Sequence, residues 1–224
     1  MKPFLLLISL CSLLVPAGLL ADCETKEILI KVEEHAKLIN DISFNFSQKI
    51  TMSYGDYSYI ISGKASFKKP NLFKLEYIKP EKQIIISDGK TLFTYSEKLN
   101  QVTIDNGLTD TDFAGIIRHV CDLPEFIKNL SNEYEISCKK KKNGFYSIIC
   151  DPKQTLENQK KIGAENEKII FWISERNYMA EVLETKTETA TSLFTISDVK
   201  TNTDIDNKYF TYKIPKGVRI ISNE

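Results

Sequence analysis

GKASFKKPNLFKLEYIKPEKQIIISDGKTLFTYSEKLNQVTI, residues 63–104, decides how the rest of the chain is read. Short alternating runs (Ala65, Phe67; Phe73, Leu75, Tyr77) are broken at Lys69-Pro70-Asn71, Lys79-Pro80-Glu81, Ser87-Asp88-Gly89-Lys90 and Ser96-Glu97-Lys98. Apolar side chains at every second position line one face of a strand. Each break carries the residues that make turns. The stretch therefore reads as an antiparallel meander with one aromatic face.

Outward from it, the N-terminal side begins with residues 1–21, in which Lys2 is the only charged side chain and Phe4 to Val15 is nearly all apolar. Pro16, Gly18 and Ala21 follow, so the segment reads as a secretory signal peptide cut after Ala21. It is short for a membrane span of about 20 apolar residues. Two other readings stay open, an uncleaved anchor and lipidation of Cys23, although the charged Asp22 before that cysteine suits lipidation poorly. Residues 22–224 are expected to form one domain.

Thr25 is placed to cap a helix running to about Ile39, with Ile28, Leu29, Val32, Ala36 and Ile39 on one face. Ile42, Phe44, Phe46, Gln48 and Ile50 alternate through a first strand, and Tyr57–Lys69 make a second. Between Asn106 and Asn132 the period changes to that of two short helices, one with Phe113, Ile116, Ile117 and Val120, the other after Pro124 with Phe126, Ile127 and Leu130. Strands resume at Tyr134–Lys139, Gly144–Cys150, Lys168–Ile173, Tyr178–Thr187, Ala190–Thr201 and Tyr209–Lys213. About eleven strands and about three short amphipathic helices result. So many antiparallel strands must curl, and so few helices cover one side of a strongly curved sheet or open barrel. The mouth of such a barrel is a common apolar ligand site.

Lys+Arg and Asp+Glu number 30 each, which gives no basic stripe for nucleic acid. Export exposes the cysteines left after residue 21 to oxidation. A three-residue loop over Asn143 to Phe145 would set Cys138 opposite Cys150 and favour that disulfide; a two-residue Asn-Gly loop would not. Cys23 and Cys121 would form the remaining pair. No Cys-x-x-Cys, P-loop, dinucleotide fingerprint, Gly-x-Ser-x-Gly or His-Glu-x-x-His occurs. His35 and His119 read as helix-surface residues, Asp88-Gly89 as a hairpin turn, and Lys139 to Lys142 as a solvated hairpin tip. No catalytic residue, metal or cofactor is expected. The alternating aromatics either fill a sandwich or line a cavity for something long and apolar.

Lys69-Pro70-Asn71-Leu72-Phe73, Pro80, Ser87-Asp88-Gly89-Lys90-Thr91-Leu92-Phe93-x-Tyr95 and Gln101-Val102 resemble, in order and spacing, the bacterial periplasmic lipoprotein carrier family LolA. Phe46-Ser47-Gln48-Lys49-Ile50 and Gly63 fit its opening strands, and Phe210-Thr211-Tyr212-x-Ile214-Pro215-x-Gly217-Val218 its last ones. The resemblance implies an incomplete antiparallel barrel closed by helices, with a cavity for lipoprotein acyl chains and no catalysis or cofactor. It implies acylated lipoproteins as cargo, an inner-membrane ABC-type release complex, and an outer-membrane receptor or the outer membrane itself as destination. A monomer in the periplasm is expected. The same fold carrying a glycolipid or phospholipid, or serving as a receptor, is the alternative.

The acyl-chain wall expected on this basis is Phe44, Phe46, Ala65, Phe67, Phe73, Leu75, Tyr77, Ile84, Ile86, Phe93 and Tyr95. Where the family carries an arginine that latches the lid helices from inside the cavity, this chain has Lys69. Lysine keeps the charge but lacks the planar fork of donors, so a looser lid is expected. Alternation fixes each strand's face only to within a one-residue slip.

Overall fold

The computed structural model describes residues 24–55, 57–106, 123–141, 143–153 and 167–223. Helix α1 (Thr25–Lys37) leads into six strands: β1 (Asp41–Met52), β2 (Ser58–Lys68), β3 (Leu72–Lys79), β4 (Gln83–Asp88), β5 (Thr91–Ser96) and β6 (Gln101–Asn106). Helix α2 (Leu123–Leu130) precedes β7 (Tyr134–Lys141), β8 (Phe145–Pro152), β9 (Lys168–Ser174), β10 (Ala180–Lys186) and β11 (Ala190–Thr201). A 3-10 turn (Asn207–Phe210) and β12 (Arg219–Asn223) complete the described chain.

All twelve strands form one sheet in the order β12-β6-β5-β4-β3-β2-β1-β11-β10-β9-β8-β7. Every pairing is antiparallel except β12 with β6. A right-handed strand twist summed over twelve strands coils the sheet. The sheet stays open and curled, and inner-face residues from both halves fall in one hydrophobic cluster with Ile28 and Val32 of α1 and Ile127 of α2. The expected architecture is therefore present, with one more strand than anticipated.

Four expectations need correction. The described residues hold two α-helices, not about three; Phe113, Ile116, Ile117 and Val120 lie outside them, as do the signal-peptide segment, Cys23 and Cys121. Thr25 is the first helical residue of α1 rather than its cap, and Glu24, at the cap position, makes no side-chain capping bond.

Tyr209–Lys213 is not a strand. Its alternation comes from packing across the sheet: Phe210 is fully buried, the 3-10 turn contacts β3 and β4, and Tyr212 lies against Phe93 and Tyr95. The last strand comes later, at Arg219–Asn223, and adds in parallel to β6.

Cys138 and Cys150 do not pair: Cys138 is disulfide-bonded, and Cys150 is free and buried. The β7–β8 loop lies one residue earlier than expected. Lys141 faces Phe145, so Cys138 faces Ile148, and Ile136 faces Cys150. Gly144 ends the loop with φ +78°, the left-handed third position that a three-residue hairpin loop demands and glycine supplies.

Candidate functional site

Strand β1 defines the inner face of the sheet. Ile42, Phe44, Phe46 and Gln48 are buried, whereas Ser43, Asn45 and Ser47 between them are less so. Residues opposite one another on paired antiparallel strands share a face. Phe44 faces Ala65, and Ala65 faces Leu75; Ile42 faces Phe67, and Phe67 faces Phe73. On the other side Phe46 faces Ile196 and Gln48 faces Phe194, and the ladder continues through Leu183, Phe171 and Ile148 to Cys138.

Two runs of aromatic rings cross this face. Phe73, Phe67 and Phe44 stack in sequence, with ring centroids 6.0 and 6.3 Å apart. Tyr77 meets Phe46 edge-on at 5.6 Å, and Phe46 stacks on Phe194 at 5.8 Å. Gly63 of β2 lies between Phe46 and Tyr77 in the ladder, and its missing side chain lets the two rings meet over the backbone. Burial pushes the Tyr77 phenol well above its ordinary pKa, so the site carries no titrating charge from that group near neutral pH.

Seven of the eleven expected wall residues are thus brought together: Phe44, Phe46, Ala65, Phe67, Phe73, Leu75 and Tyr77. The other four are not. Leu75 faces Ile85, so Ile84 and Ile86 point to the opposite side, as do their partners Tyr95 and Phe93. They lie on the outer face, where Tyr212 stands 5.8 Å from Phe93 and 6.4 Å from Tyr95. Lys68 Nζ donates to Ile205 O at 2.5 Å, and Lys74 Nζ lies 4.4 Å above the Tyr209 ring, which fastens the segment after β11 to that face. In place of the four, Ile85 and Leu92 join the inner cluster, together with Phe171, Ile173, Leu183, Phe194 and Ile196 from the second half. Their signal lies in the alternation of β9 to β11, which the sequence alone assigns to neither face.

Lys69 does not project among the wall residues. It lies just past the end of β2 and is exposed, and its Nζ donates to Ala36 O at 3.1 Å and Lys37 O at 3.4 Å. Those are carbonyls of the last turn of α1, where Ala36 O also accepts from Ile39 N at 3.3 Å, and a cation there suits the helix dipole. Among the described residues Lys69 therefore bonds to the end of the first helix.

That helix packs on the inner-face cluster through Ile28, Val32 and Leu29. Ile28 and Val32 are its buried residues, whereas Ile30 and Leu38 are 45% and 69% exposed. Ile127 of α2 is buried in the same cluster. The arrangement is an apolar, aromatic-lined surface against which Ile28 and Val32 of α1 and Ile127 of α2 are buried.

The family model described as outer membrane lipoprotein carrier protein LolA matches residues 37–213. A protein of Wigglesworthia glossinidia brevipalpis named outer-membrane lipoprotein carrier protein is 32% identical over 196 residues, 84% of each chain. A Yersinia enterocolitica protein of the same name is 25% identical and covers 98% of each chain. Among solved structures, an uncharacterized conserved protein from Thermus thermophilus aligns with TM-score 0.56 over 88% of this chain and 98% of its own, at 11% identity. That last likeness is one of fold.

Proposed function

This chain belongs to the LolA family of outer membrane lipoprotein carriers, and from that membership we propose that it carries lipoproteins between membranes with their acyl chains against the inner face of its sheet. The observation that carries the reading is the aromatic-lined inner face, with amphipathic helices packed on it.

The helices' docking is small beside the worth of keeping an acyl chain from water. Docking Ile28 and Val32 is worth roughly 3–6 kcal/mol. Each buried CH₂ is worth about 0.8 kcal/mol, so one long acyl chain is worth on the order of 10 kcal/mol when kept from water. The acyl chain takes the place of Ile28, Val32 and Ile127 in the inner-face cluster. Moving it from a bilayer to this face exchanges one apolar surrounding for another, so the transfer itself does not repay the helices' lost docking. Direction must therefore come from partners, which we take to be an ATP-driven release complex at the inner membrane and a receptor or the membrane itself on the outer side. The protein acts as a monomeric binding protein in the periplasm, without cofactor or bond-breaking chemistry.

Release from inner-membrane vesicles tests the reading. With ATP and the purified protein, triacylated lipoproteins are expected in the soluble fraction, bound to this chain. Extraction of glycolipid or phospholipid alone would contradict it.

A further inference from the structure

Gln48 is a polar residue set in the apolar inner face. It is 7% exposed and faces Ile61 on β2 and Phe194 on β11. Its Nε2 donates to Ser192 Oγ at 2.8 Å. Its Oε1 is buried and has no hydrogen-bond partner among the described residues. Buried polar atoms are seldom left so, because their desolvation then goes uncompensated. Turning the amide over would exchange an orphan acceptor for an orphan donor, since the serine hydroxyl can serve either end.

Its position along β1 adds a second observation. On one side lies the buried ring of Phe46, between Phe194 and Tyr77. On the other the strand runs to a rim where Ile50 is half-buried and Tyr59 and Met52 are 43% and 37% exposed. Gln48 thus marks the boundary at which the buried wall gives way to the mouth.

An acyl chain lying on such a wall leaves its polar linkage near that boundary. We propose that Gln48 Oε1 accepts a hydrogen bond from the amide N–H that joins an acyl chain to the first residue of an N-acylated lipoprotein. The proposal rests on the carrier reading and sharpens it to one linkage. Ester linkages offer only acceptors, so among the linkages of a triacylated protein the amide alone supplies the donor that this carbonyl lacks. The acyl linkages of a glycerophospholipid are esters, so the same contact separates an N-acylated protein from bulk lipid.

Two synthetic lipopeptides test this, identical triacylated cysteine peptides except that one carries the N–H amide and the other its N-methyl counterpart. The native protein is expected to bind the N–H form about fivefold more tightly, the worth of one net hydrogen bond. Gln48→Met, which keeps length and removes the acceptor, is expected to bind both alike. Equal binding by the native protein overturns the proposal and leaves the carrier reading intact, as does a preference that survives in Gln48→Met. Failure to bind either lipopeptide overturns both readings together. If Gln48→Met does not fold, the native protein's preference between the two lipopeptides decides.

Discussion

The ring of Phe46 occupies the space in which any residue other than glycine at position 63 would carry its Cβ. An ideal Cβ there would stand 2.7 Å from Phe46 Cζ and 2.2 Å from Glu76 O. The second of these is backbone, so no rotamer change relieves it. Gly63→Ala is expected to destabilise the fold by about 1–3 kcal/mol, as overpacking of a filled core does, and to loosen the Phe46–Tyr77 contact. Urea unfolding measures the first; a midpoint equal to the native one would show that the strand shifts freely and the glycine is dispensable.

Asp41 ties the start of β1 to the chain after β11. Its carboxylate is buried and accepts from Thr203 N and Oγ1 at 2.9 and 3.0 Å and from Asp204 N at 2.9 Å. Burial works to raise its pKa, but the hydrogen bonds from Thr203, Asp204 and Ile205 outweigh it and hold the group below its ordinary 3.8. A depressed carboxyl stabilises the fold above its unfolded pKa and loses that contribution as pH falls through the folded one. Asp41→Asn is therefore expected to cost about 1.5–3 kcal/mol at pH 7. The gap to the native protein should narrow below pH 3.8. Denaturant titrations at several pH values check this, and a gap that stays constant into acid would remove the carboxylate from the account.

Lys69 bonds to the carbonyls of Ala36 and Lys37 at the end of α1. Removing it by Lys69→Ala should cost the helix about 0.3–1 kcal/mol, the usual worth of a cation at a helix C-terminus. Amide exchange in residues 29–38 should then rise up to about fivefold. Lys69→Arg, with more donors in a fixed fork, is expected to restore or exceed the native protection. Exchange indifferent to both changes would mean that α1 is held by packing alone.

Cys150 is buried, and its thiol is pushed up to about 12 by burial and by nearby Asp151. A thiol so rarely ionised reacts slowly with alkylating reagents. In non-reduced protein, peptide mapping should find Cys150 labelled only after denaturation and Cys138 not labelled at all. Labelling of Cys138 without reductant would contradict the disulfide seen at that residue.

The inner face of β1 was legible in the sequence because Phe44 and Phe46 alternate with Ser43, Asn45 and Ser47. Strand β4 was not, because Ile84, Ile85 and Ile86 are consecutive. Such a run arises when both faces are covered, here by the inner core on one side and the chain around Phe210 and Tyr212 on the other. Local periodicity contains no term for a segment more than 100 residues away in sequence. The same distance effect turned Tyr209–Lys213 into an apparent strand. The Cys138 pairing failed on something smaller, a loop placed one residue late, which shifts the register across the whole β7–β8 hairpin. What survives such slips is the architecture, since it depends on strand number and turn chemistry rather than on any one register.

The central claim is that acyl chains lie on the inner face and not on the outer one. A lipoprotein bearing a photoreactive group partway along an acyl chain, loaded on the protein and irradiated, tests it directly. Adducts are expected on inner-face residues such as Phe67, Leu75 and Phe194. Adducts confined to Ile84, Ile86, Phe93 and Tyr95, beside Tyr212, would contradict it.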